Sequence, residues 1–182
     1  MKKYLLLFFL LLFSVGCKNS LEIEHLAFLS TLAIDYNNGK YEVILQEIHG
    51  RESSIESTEH TSIFHQTACR KLKNCFQHLS TTNQFFFYQT IETIIIHKDI
   101  YKDISPILTF LVDKVNKNAY LFLTDLEIFS LLENKENFHS KINQVTLLSI
   151  EKRKRAYQEY FIPILTVENE EVIMKVRRFH EN

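Results

Sequence analysis

The sequence predicts an α+β fold: a mixed sheet that opens with a β-hairpin and is covered by amphipathic helices, followed by a C-terminal helix and a second hairpin that begin a further, incomplete domain. Three observations lead there. An Asn38-Gly39 pair sits between two apolar segments, the residue pair that accepts positive φ in a tight hairpin turn. Short aromatic and β-branched bursts alternate with segments of helical spacing, the pattern of a sheet covered by helices. The 182 residues hold only 3 Gly and 2 Pro, so neither long flexible linkers nor glycine-rich phosphate loops can be built.

The chain begins with Lys2 and Lys3, then an unbroken apolar run from Tyr4 to Phe13, closed by Ser14-Val15-Gly16-Cys17. A charged start, a short apolar core and small residues at the exit make a secretory signal. The core is too short to cross a bilayer, which takes about 20 apolar residues. A Cys after Gly, where the signal ends and the polar Lys18-Asn19-Ser20 begins, has the form of a bacterial lipobox, in which the thiol takes a diacylglyceryl group and becomes the first mature residue. Ser14 departs from the usual Leu. An ordinary cleaved signal with an incidental Cys and an uncleaved anchor are the alternatives. Cys17 is the expected lipid-attachment residue, and 1–16 the signal peptide.

The composition is globular, with 46% hydrophobic and 24% charged residues, and a net charge of −1 leaves no basic footprint for nucleic acid. Leu26 to Asp35 and Tyr41 to Ile48 are the arms of the opening hairpin, and the polar, Ser-rich Gly50 to Glu59 is an exposed loop. Thr61 to Leu79 has helical spacing: Phe64, Ala68, Leu72, Cys75, Phe76 and Leu79 share an arc of about 120°, so one helix is expected there. Phe85 to Tyr88 and Ile91 to Ile96 are buried strands by their aromatic and β-branched content. Lys98 to Val115 returns to helical spacing, with Pro106 in its first turn. Ala119 to Thr124 is another buried strand, and Asp125 is placed to cap a helix through Leu132. A helix from about Asn143 to Tyr160 and a hairpin of Tyr160 to Val167 with Glu171 to Arg178 complete the chain.

These residues carry a resemblance. A lipobox Cys, the string Glu22-Ile23-Glu24-His25-Leu26-Ala27-Phe28-Leu29-Ser30-Thr31-Leu32-Ala33-Ile34-Asp35, a turn, and Tyr41-Glu42-Val43-Ile44-Leu45-Gln46 look like the opening of the Ger(x)C family of spore germination lipoproteins, the C subunits of nutrient germinant receptors. The strands from Phe85 to His97, the segment Ile104 to Asp113 and Ala119 to Leu132 are similar to that family's N-terminal domain in order and spacing. Lys18-Asn19 stands where the family has Trp-Asp, Ala33 where it has Gly, and Val112 where it has Arg. Family members continue through further α/β domains, so the resemblance implies a divergent, shortened member: 17–135 as the N-terminal domain and 136–182 as the start of a second. It further implies a non-catalytic subunit on the outer face of the spore inner membrane, beside an A subunit and a transporter-like B subunit. A stand-alone envelope ligand-binding lipoprotein unrelated to sporulation is the alternative.

The search for chemistry among the residues themselves expects no enzyme, cofactor or metal. The chain has no Gly-x-Ser-x-Gly elbow, no His-Glu-x-x-His and no Walker lysine. On the expected helix His65 and Cys69 point away from Cys75 and His78, so the four do not converge on an ion, and the two thiols lie about 9 Å apart along the axis, beyond disulfide reach. Buried small hydrophobes are the better account of both thiols, with an intermolecular disulfide as the other. Glu22 and Glu24 would share a strand face as exposed charges near the anchor, and the His residues at 25, 49, 60, 65, 78, 97, 139 and 180 are scattered. The basic run Lys152-Arg153-Lys154-Arg155 has two readings, a solvated helix face or contact with anionic lipid headgroups, each cation near such a surface gaining about 1 kcal/mol.

Overall fold

A computed structural model describes residues 26–48, 62–81, 85–133, 145–168 and 171–180. The expected α+β architecture is present. The hairpin β1 (Leu26–Asn37) and β2 (Lys40–Ile48) turns through Asn38 and Gly39, both at positive φ (52° and 75°), so the turn residues adopt the conformation for which the Asn-Gly pair is suited. The register Asn37↔Lys40 through Ile34↔Val43 follows directly from that two-residue loop, and a bulge between Leu29 and Thr31 offsets the far end.

The segment expected as one helix from Thr61 to Leu79 is instead a strand and a helix. β3 (Ser62–Cys69) pairs antiparallel with β2 from Tyr41↔Cys69 to Ile48↔Ser62, and only after Arg70 and Lys71 does α1 (Leu72–Ser80) begin. The free hydrogen-bonding edge of β2 outweighs the helical spacing of Phe64 and Ala68. Leu72, Cys75, Phe76 and Leu79, the rest of the expected arc, are the buried face of α1.

β4 (Phe85–Phe87) and β5 (Thr93–His97) both pair parallel with β1 on the side away from β2. Between them a 3-10 turn over Tyr88–Thr90 takes up the slack, and the Thr90 hydroxyl accepts from the Leu29 amide at 2.9 Å beside the bulge. A second 3-10 turn (Lys98–Asp103) leads into α2 (Ile104–Lys114), with Pro106 in its first turn, where a missing N–H costs nothing. β6 (Tyr120–Thr124) follows, then α3 (Ile128–Glu133). The cap of α3 is Glu127 and not Asp125: its carboxylate accepts from the Phe129 and Ser130 amides at 3.1 and 2.7 Å, while Asp125 Oδ2 accepts from the Thr166 hydroxyl at 2.9 Å.

The C-terminal helix α4 (Leu147–Tyr157) is shorter than expected. Thr146 caps it by accepting from the Ser149 amide at 3.2 Å, and Gln158, at φ 53°, ends it and starts the hairpin β7 (Glu159–Glu168) and β8 (Glu171–His180). β7 pairs parallel with β6 through Leu123↔Ile164 and Thr124↔Leu165. The described strands therefore form one eight-stranded sheet, order β3-β2-β1-β5-β6-β7-β8 with β4 beside the start of β1, and the sheet runs on past residue 135.

Both faces of the central strands are covered, which is why they read as continuous apolar runs. Ile94, Ile96, Leu121 and Leu123 pack with Leu108, Leu111, Leu147 and Ile150, on the face of α1, α2 and α4. Ala33, Ile44, Ile95, Phe122 and Leu165 pack with Ile128, Leu131 and Leu132 of α3 on the other.

Candidate functional site

The strand-to-helix break at Arg70 and Lys71 rearranges the residues singled out for metal. His65, on β3, turns to Glu47 on β2, with Nε2 at 2.6 Å from Oε2. Cys69 closes β3 opposite Tyr41, and its Sγ lies 3.6 Å from Nδ1 of His78 on α1. Cys75, facing back from α1, donates to the Tyr41 carbonyl at 3.5 Å and is in hydrogen-bond contact with the Cys69 thiol. Burial, then the hydrogen bond and charge of Cys69, push the Cys75 thiol up to about 12. The axial separation expected of two thiols on one helix thus does not apply: both are free and buried, side by side where β3 meets α1. Among the described residues no group of three or more His, Cys, Asp or Glu is placed to hold a metal.

Next to this junction lies a groove of about 400 Å³ between the β3–α1 connection and α2. Leu72, Pro106, Ile107 and Phe110 supply apolar surface, and Arg70, Lys71 and Lys73 bring cationic side chains to it. The Tyr41 hydroxyl donates to Asp103 Oδ2 at 3.2 Å across one wall, and burial followed by the Asp103 charge holds that phenol above its ordinary value. The volume is within the range of small-molecule sites, and the charge suits an anionic group against an apolar body. Sequence reasoning misses this groove because a single helix through Arg70 and Lys71 leaves no strand-to-helix connection to wall it.

The basic run on α4 is divided. Lys154 is buried and donates to the Thr109 hydroxyl of α2 at 2.9 Å, Arg155 pairs with Glu151 one turn earlier at 2.8 Å, and the Arg153 guanidinium lies 5.9 Å from the centre of the Phe161 ring. Lys152, Arg153 and Arg155 remain at the surface. Cys17, Glu22, Glu24, His25, His49, His60 and His139 lie outside the described residues. No described helix is long and apolar enough to cross a membrane.

Comparison with known proteins is decisive at the level of family. Residues 19–169 match the family model described as the spore germination protein N-terminal domain. The chain belongs to that family. No curated protein matches it. The match opens two positions after Cys17 and extends through β7, so α4 and the first strand of the last hairpin lie inside the matched region and β8 lies beyond it. Membership gives the chain a role in spore germination.

Proposed function

We propose that the chain is a membrane-anchored lipoprotein subunit of a nutrient germinant receptor, working as a non-catalytic interaction protein. Cys17 carries the lipid, the body stands on the outer face of the spore inner membrane, and its partners are the receptor's A and B membrane subunits. The observation that carries this reading is the family match over 19–169, starting directly behind a lipobox Cys. The folded body supports it, since titratable groups that could serve chemistry are committed to structure: His97 to the Asp99 amide and Asp35, and Asp125 to Thr166 and Lys98. An interaction protein needs a rigid surface, and a sheet whose central strands are buried on both faces supplies one.

A deletion strain complemented in trans tests the reading. Spores lacking the gene lose the response to at least one nutrient germinant, the wild-type gene restores it, and Cys17→Ala does not while the chain still accumulates. Spores of the deletion strain that respond normally to every nutrient germinant overturn it. The mass of the mature chain checks the anchor separately: a diacylglyceryl adduct on Cys17 is expected, and an unmodified Cys17 removes the lipoprotein assignment.

A further inference from the structure

Several of the large apolar side chains left exposed are gathered at one edge of the sheet. β1, β5, β6 and β7 are mutually parallel, and β3 runs with them because it is antiparallel to an antiparallel neighbour, so all five begin at the same edge. At that edge Leu26↔Phe85 and Phe28↔Phe87 pair across β1 and β4, which puts all four side chains on one face of the ribbon. Phe28, Phe85 and Phe87 are 44%, 55% and 43% exposed, and the Phe28 and Phe87 rings meet edge to face at 6.4 Å. Ile48, which ends β2 one register step beyond Leu29↔Glu47, and Ile63, the second residue of β3 and on the opposite face, are exposed at the same edge. On the opposite face of the ribbon, Ala27 and Phe86 are packed into the body.

Three exposed Phe where the short β4 pairs with the start of β1 need an occupant, and the chain itself indicates which. The patch begins at Leu26, and only residues 18–25 separate it from Cys17; even fully extended, that link spans no more than about 30 Å. Whatever holds Cys17 therefore meets this edge before any other part of the body. Cations are present at the same edge: α4, on the other face of the sheet, leads directly into β7 and so ends there carrying the exposed Lys152, Arg153 and Arg155, among acidic groups that include Glu92 before β5, Asp113 near the end of α2, Glu151 against Arg155 and Glu159 near Arg178. Aromatic side chains and cations at one edge of a body are what the boundary between headgroups and acyl chains of an anionic bilayer accepts.

We propose that this edge is a bilayer-docking surface: Phe28, Phe85 and Phe87 enter the interfacial layer of the membrane that holds Cys17, so that lipid and aromatic patch together fix the orientation of the body. The inference rests on lipidation of Cys17 and adds a second, independent membrane contact. Docked in this way, the body presents the hairpin turn at Asn38 and Gly39, at the far end of β1, away from the bilayer.

The chain contains no Trp, so a single substitution installs a unique fluorophore. The full lipoprotein carrying Phe85→Trp is reconstituted into phosphatidylethanolamine and phosphatidylglycerol vesicles containing acyl-chain-brominated lipid, and compared with Tyr36→Trp. The two sites lie at opposite ends of the β1 ladder, about 33 Å apart by strand rise from Leu26, the register partner of Phe85, to Tyr36. The expected result is blue-shifted emission at position 85, quenched several-fold more strongly by the brominated lipid than emission at position 36. Equal quenching at both sites, or water-like emission at position 85 in a chain that floats with the vesicles and carries the adduct, overturns the docking surface and leaves the anchor standing. Emission at position 85 that is blue-shifted but unquenched, and that depends on protein concentration, assigns the patch to a second copy of the chain and also overturns it. A chain whose mass shows no lipid on Cys17 overturns the anchor and this inference with it.

Discussion

His65 Nε2 lies 2.6 Å from the Glu47 carboxylate, diagonally across the β2–β3 ladder, and Phe86 of β4 meets the imidazole edge to face at 4.8 Å. The Glu47 side chain is only 5% exposed. A carboxylate so placed depends on its hydrogen-bond donors, and withdrawing one leaves charge in a poorly hydrated site. His65→Leu is expected to cost about 2 kcal/mol in urea unfolding, and Glu47→Gln less, because an amide keeps a hydrogen bond to the ring. Equal stability of His65→Leu and wild type would show the contact to be energetically empty.

At the hairpin turn, Gly39 holds φ +75° with nothing within 4 Å of where a Cβ would stand. A side chain there meets no neighbour, so the whole penalty of substitution is backbone strain. Gly39→Ala should destabilise by about 1 kcal/mol, and Gly39→Val by more. Chemical unfolding of the two variants reads the difference.

The hydroxyl of Tyr88 is buried without a hydrogen-bond partner, and burial pushes its phenol up to about 12. Tyr88→Phe should therefore leave stability at neutral pH unchanged or raise it by about 1 kcal/mol, an unusual outcome for the loss of a polar atom from a core. Tyr88 and Cys75 also shape the alkaline limb. Both hold their protons more tightly folded than unfolded, since their folded values of about 12 lie above ordinary values of 10.0 and 9.0. Between those limits the unfolded chain binds fewer protons, so stability is full below pH 9 and falls as pH rises toward 12. Tyr88→Phe and Cys75→Ala should each make that decline shallower, as thermal midpoints measured across the range would show. A decline of unchanged steepness in both variants would place its origin elsewhere.

Glu127→Ala removes both side-chain acceptors at the start of α3 and should cost about 1 kcal/mol, the ordinary value of a lost cap. Backbone amide exchange gives the sharper readout. Protection is expected to fall at Phe129 and Ser130 while the β6 amides keep theirs.

Much of the fold is written locally, and the parts that are not have a physical reason. Asn38-Gly39 reads as a turn because two positive-φ residues are rarely anything else. Ile94 to Ile96 reads as a buried strand because β5 has helices over one side and α3 over the other. β3 escapes such a reading because it is an outer strand with most of its side chains half-buried or exposed, so no alternation marks it; Phe64 and Ala68 fall by accident in phase with the true helical face of Leu72, Cys75 and Phe76. That one misassignment conceals the neighbouring thiols and the cationic groove, whose geometry depends on where the strand stops. Asp125 looks the better cap than Glu127 because Asp is the commoner one, but the helix starts at Ile128, and Thr166 of β7 and Lys98 engage the Asp125 carboxylate instead. The exposed aromatic ribbon is legible as Phe85-Phe86-Phe87 but not as a surface, since its partner Phe28 is distant in sequence.

The first of the described strands is not at a margin of the sheet; β1 has β2 along one side and β4 and β5 along the other. A pull transmitted through the residues before Leu26 therefore acts lengthwise on a strand held on both flanks, and must shear many hydrogen bonds at once instead of peeling them one by one. With Cys17 lipidated as proposed, the tether would lead into this doubly flanked strand, and a body attached in that way could pass tension to whatever grips its far end.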